Sequence, residues 1–160
     1  MTFKIFLPSR GVLAQVMLLL LAGTGCRTLG PLPPADLKEP GWTVRQGQAV
    51  WKRPHGAAEI AGDVLVAWRD GRSFVQFSKS PFSLVVCQTT PRGWEITIPV
   101  ENRRYSGPGR PPRRMIWLQL PFVLEGRAPP RGWAWTMTPD NNWSLKNGAT
   151  GESIEGYFSQ

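Results

Sequence analysis

Histidine is nearly absent from this chain, with His55 alone, and cysteine occurs only at Cys26 and Cys87. A zinc or iron centre needs several such ligands at set spacings, and none are spaced that way. No serine sits in a Gly-x-Ser-x-Gly elbow, and there is no glycine-rich phosphate loop. Acidic residues are also few: 11 stand against 19 Lys and Arg, a net charge of +8. Most of those in the body of the chain, among them Asp63, Asp70, Glu95, Glu101, Glu125, Asp140, Glu152 and Glu155, are scattered. Glu152 and Glu155 could form a carboxylate pair for glycoside chemistry; in and beside a strand they read as surface residues. His55, in the turn-like Arg53-Pro54-His55-Gly56, is an isolated candidate base. The chain is therefore read as not an enzyme, with no metal and no cofactor. Internal repeats and heptads are missing, and no apolar run reaches the roughly 20 residues of a membrane-spanning helix.

The N-terminus carries a different pattern. Lys4 and Arg10 precede an apolar stretch from Gly11 to Ala22, interrupted only by Gln15, and then Gly23-Thr24-Gly25-Cys26. Charge, apolar run and small residues in that order mark a secretory signal peptide. The run Ala22 to Cys26 resembles the lipobox cut just before cysteine, with Gly23 where leucine is usual. Residues 1–25 are thus read as a lipoprotein signal peptide and Cys26 as the lipidated first residue. Acyl chains there would anchor the protein, at about 0.8 kcal/mol per buried methylene. The alternative is ordinary cleavage that leaves Cys26 a free thiol. Without Lys4 and Arg10, 17 basic residues remain against 11 acidic ones, a net charge of +6. A basic domain tethered at a bilayer suits anionic head groups; nucleic acid is not expected as a partner of an exported lipoprotein.

Residues 26–41 are read as a lipidated tether. Pro31, Pro33 and Pro34 favour extended chain that would lift the domain off the membrane, and Asp36 to Glu39 allows at most one helical turn. Residues 42–160 form one β-rich domain. Ile60, Gly62, Val64, Val66 and Trp68 alternate on one face of a strand that ends at Asp70-Gly71, a tight hairpin signal. Further strands are expected from Trp42 to Lys52, Ser73 to Lys79, Phe82 to Thr89 (Phe82, Leu84 and Val86 sharing a face), and Trp94 to Val100. Three more follow over Trp133 to Met137, Trp143 to Lys146 and Ser153 to Phe158. Short strands with turn signals between them indicate an antiparallel meander. Glu101 to Arg114, rich in Gly and Pro, is expected to be a loop. Met115 to Leu124 is apolar almost all round and reads as a short buried helix, from about Arg113 to near Gly126 and kinked by Pro121. Cys87, in the run Leu84 to Cys87, reads as a buried structural thiol.

Eight tryptophans, from Trp42 to Trp143, are the most marked positive feature. One sheet with one helix cannot bury them all. They either fill an ordinary core or line an apolar pocket between a curved sheet and a short helix, with Gly62 and Ala61 leaving room for a ligand. The candidate lining is Trp51, Val64, Val66, Trp68, Phe74, Leu84, Trp94, Ile96, Trp117 and Leu118. The arginines of the Pro/Gly segment, Arg103, Arg104, Arg110, Arg113 and Arg114, are either solvated or contact anionic head groups or an acidic partner.

Several stretches together resemble the outer-membrane lipoprotein-localisation factors of the LolB/LolA type. They are Gly47-Gln48-Ala49-Val50-Trp51, Ile60-Ala61-Gly62, Phe74 to Phe82, Met115 to Pro121, and Trp143 to Gly148. The resemblance implies a mainly β fold, a curved antiparallel sheet forming a half-open barrel, with one or two short covering helices. It implies an apolar hollow that takes up acyl chains or lipidated client proteins, without cofactor or covalent step. It further implies a place on the outer membrane facing the periplasm, with Arg27 where an Asp would favour the inner membrane. The alternative function is a structural or assembly lipoprotein that binds an envelope protein.

Overall fold

The computed structural model describes residues 30–54 and 57–159. Signal peptide, Cys26 and His55 lie outside the described residues. Alternation of apolar and polar side chains, broken at turn residues, lays out nine strands among those described: β1 (Thr43–Lys52), β2 (Glu59–Arg69), β3 (Arg72–Lys79), β4 (Phe82–Thr90), β5 (Gly93–Ile98), β6 (Arg103–Pro108), β7 (Trp133–Met137), β8 (Asn142–Asn147) and β9 (Ser153–Phe158). Among the described residues a 3-10 turn spans Pro99–Glu101, and one α-helix, α1, spans Ile116–Leu124. All pairings are antiparallel, in the order β6-β5-β4-β3-β2-β1-β9-β8-β7. The fold is mainly β: one curved, unclosed sheet whose free edges are β6 and β7.

Two meanders meet at β1. The first runs outward from β1 to β6, and the chain then crosses the hollow as α1. The second, β7 to β9, returns so that β9 pairs with β1, Ala49 opposite Gly156 and Trp51 opposite Ile154. The hairpin at Asp70-Gly71 has φ of 46° and 75°, the positive pair that a two-residue primed turn requires. Register partners share a face of the sheet. The inner face therefore carries Ala49, Val64, Val66, Val75, Phe77, Val85, Cys87, Ile96, Leu145, Ile154 and Phe158, all buried. Six tryptophans, Trp51, Trp68, Trp94, Trp133, Trp135 and Trp143, stand on that same face by register.

Helix α1 fills the hollow. Ile116, Trp117, Leu118, Gln119, Leu120, Pro121 and Val123 are all buried, as a helix apolar all round should be. It ends in a Schellman motif: the Arg127 N–H donates to the Phe122 carbonyl (3.0 Å) and the Gly126 N–H to that of Val123 (3.1 Å). Gly126 supplies the left-handed residue, φ 83°. The helix is shorter than the expected Arg113-to-Gly126 span. Arg113 and Arg114 instead lie in a turn closed by the Met115 N–H on the Pro112 carbonyl, 3.1 Å.

Three further expectations are corrected. Glu101 to Arg114 is not all loop, because Arg103 to Pro108 pairs with β5. An edge strand is bonded on one side only and so tolerates Gly107 and Pro108. Phe82, Leu84 and Val86 do not form the buried face of β4. The register shifts between Phe77 and Ser78, leaving Leu84 as the extra residue of a bulge, and the inward series becomes Val85, Cys87 and Thr89. Gly62 does not leave room for a ligand: a Cβ there would strike the Ser78 carbonyl oxygen and press on the Phe77 ring. Ala61 is exposed, on the opposite face to Gly62.

The segment before β1 is laid against the sheet. The Leu32 N–H donates to Glu95 Oε2 (2.9 Å) and the Gln88 amide to the Leu32 carbonyl (3.4 Å). Further along, Arg69 bonds the Pro40 carbonyl (2.7 Å) and the Glu39 carboxylate (2.8 Å). Trp42 lies under the guanidinium groups of Arg69 and Arg72, at 5.5 and 5.8 Å.

Candidate functional site

Between α1 and the strands runs a cleft of about 170 Å³. Its walls are Trp51, Val85, Ile96, Ile98, Met115, Ile116 and Trp117, with Tyr105, Arg114 and Glu152 as its polar members. The aromatic side of the cleft is an interlocked group. Trp117 stacks on Phe77 with ring centroids 4.7 Å apart and meets Trp51 edge-on at 5.5 Å. Such pairs add about 0.5–1.5 kcal/mol beyond the area they bury.

Glu152 is the unusual member. It is 8 % exposed, and its Oε1 accepts a hydrogen bond from Trp51 Nε1 at 3.1 Å. Its backbone is fixed by the Thr150 hydroxyl, which takes the Glu152 N–H (3.2 Å), and by Asn147, whose N–H donates to the Glu152 carbonyl (2.8 Å). Burial pushes the carboxyl above its usual range, and the Trp51 hydrogen bond opposes part of that rise. Glu152 is thus no surface residue, and Glu155, exposed on the outer face opposite Val50, is no partner for it.

Of the residues singled out from the sequence, Trp51, Ile96 and Trp117 line the cleft. Val64 and Val66 are buried on the inner face of β2, and Leu118 is buried in α1. Trp68 stands on the inner face outside the cleft lining, as does Trp94, whose indole covers Gly107; a Cβ on Gly107 would lie 2.9 Å from that ring. Leu84 is the bulge residue, half-buried against the core. Phe74 is on the outer face, paired with Ala67 and Gln88. Val85, Ile98, Tyr105, Met115 and Glu152 were not legible as lining. Val85 is turned inward by the bulge, and Gly151-Glu152 reads locally as a turn.

The five arginines of the Pro/Gly segment do not act as one patch. Arg103 pairs with Glu101 (3.1 Å) and Arg104 with Glu95 (2.8 Å). Arg114 reaches the cleft. Arg110 and Arg113 line a separate basin with Arg127 and Arg131. Among the described residues no group of three or more His, Cys, Asp or Glu is placed to hold a metal ion.

The fold and site together define an unclosed antiparallel half-barrel with an apolar helix in its hollow. No protein-family model matches the chain, and no curated protein matches it.

Proposed function

We propose that this chain is a lipid-anchored envelope protein that takes up an acyl chain between α1 and the curved sheet, in the manner of the lipoprotein-localisation factors it resembles. The cleft beside Trp51 and Trp117 is the observation that supports this reading. At about 170 Å³ it is smaller than ordinary ligand pockets, which run to about 300–1,000 Å³. A chain would enter by displacing α1 from the sheet and replacing its apolar contacts. Apolar burial at about 25 cal/mol per Å² would drive both capture and hand-over, with no covalent step. Cys26 would hold the protein on the outer membrane, facing the periplasm.

A second reading is an assembly lipoprotein that binds an envelope protein by adding its strand to a free edge, β6 or β7, which the unclosed sheet leaves unpaired. Fatty acids brominated along the chain separate the two. Added to residues 27–160, they should quench tryptophan fluorescence, and Trp117→Phe should remove much of the quenching. Quenching that is absent, or that Trp117→Phe leaves unchanged, would count against the acyl reading.

A further inference from the structure

The two segments that flank α1 meet on the side of the helix that carries Gln119 and Phe122. There they enclose a basin of about 580 Å³ lined by Arg110 and Arg113 from one segment and by Arg127 and Arg131 from the other. Only Arg127 has an ion-pair partner among the described residues, Glu125 at 2.8 Å. No acidic side chain lines the basin. Gln119 is held in place by donating to the Pro112 carbonyl, 3.1 Å. Phe122 lies under the Arg127 guanidinium, 4.9 Å from its ring centroid. Three prolines in the wall, Pro111, Pro129 and Pro130, fix the φ angles of both segments.

Arg110, Arg113 and Arg131, which have no ion-pair partner among the described residues, repel one another and Arg127 around one concavity, a repulsion that a bound anion would relieve. Guanidinium forks match phosphate oxygens in pairs. A phosphate monoester carries nearly two charges and three acceptor oxygens, so it suits three unpaired arginines better than a single carboxylate does. We propose that this basin is a binding site for a phosphate group, borne by a lipid head group or by a soluble phosphate compound. The inference goes beyond the acyl-chain reading, because inorganic phosphate compounds have no chain to enter the cleft.

The test is calorimetry on the full chain in a non-ionic detergent. The probes are inorganic pyrophosphate, micelles doped with phosphatidic acid, and micelles doped with phosphatidylcholine. The variants are Arg113→Gln with Arg131→Gln, and the charge-matched control Lys79→Gln with Arg92→Gln, which lies outside the basin; all four side chains are on exposed residues. Binding of pyrophosphate or phosphatidic acid, weakened about tenfold or more by the basin pair and little by the control, is expected. Pyrophosphate binding alone assigns a soluble phosphate, phosphatidic acid alone a lipid head group, and both together a site that accepts either. No binding of either probe, equal binding of phosphatidylcholine, or equal loss in the control would overturn the proposal.

Discussion

Glu152 and Cys87 are two titratable side chains held inside the sheet, and each carries a testable consequence. The folded state holds the Glu152 proton more tightly than the unfolded chain does, because burial disfavours its charged form. The stability it contributes is therefore complete at pH values below the ordinary carboxylate range and is lost as pH rises through its raised value. Thermal unfolding followed from about pH 4 to pH 7 should show a fall in Tm that Glu152→Gln lacks. An identical pH profile in the variant would contradict this. Cys87 is 1 % exposed, and burial pushes its thiol well up, so the nucleophilic thiolate is scarce. A thiol reagent should leave Cys87 unmodified in the native protein and react with it once the chain is denatured. The burial of Cys87 was legible from its apolar neighbours. That of Glu152 was not, because a carboxylate after glycine signals an exposed turn, and only the partner Trp51, about a hundred positions earlier, draws it inward.

Most strands and the hairpin turn at Asp70-Gly71 follow from local alternation and turn residues, and the structure places them within a residue or two of expectation. Where local pattern failed, a long-range term overrode it. The bulge at Leu84 shifts the inward face of β4 by one residue, and β6 exists only because β5 offers it an edge. A related constraint governs the seam where the two meanders join. Gly47 and Gly156 sit on the inner face of β1 and β9, and a Cβ on either would run into the neighbouring strand's backbone, at the Tyr157 and Gln48 carbonyl oxygens respectively. Gly156→Ala should therefore cost about 1–3 kcal/mol in urea denaturation, as overpacking of a filled core does. Gly30→Ala, with nothing within 4 Å of its Cβ, should stay within about 0.5 kcal/mol. Trp117→Ala removes the ring that joins α1 to Phe77 and Trp51 and should cost about 3–5 kcal/mol.

At the scale of the whole molecule, the packing of Leu32 against β4 and β5 sets how the domain would hang from its anchor. Residues 27–31 are all that separate Cys26 from that fixed point, a reach of about 20 Å at full extension. A tether read as a free spacer is thereby shortened, because Glu95 holds both the Leu32 N–H and the Arg104 guanidinium. Glu95→Ala should speed hydrogen exchange at the Leu32 amide while leaving the core amides of β2 and β3 protected. Equal Leu32 exchange rates in the two proteins would refute that role for Glu95. The antiparallel meander was legible from alternation and turn signals, and the half-barrel only from the resemblance. The narrowness of its cleft was not, because it depends on how completely α1 fills the hollow. Native mass spectrometry of the full chain taken from the envelope of its own host tests the account most directly. A mass that begins at an acylated Cys26, with an additional non-covalent acyl lipid, is predicted. A mass with unmodified Cys26 and no bound lipid would contradict it.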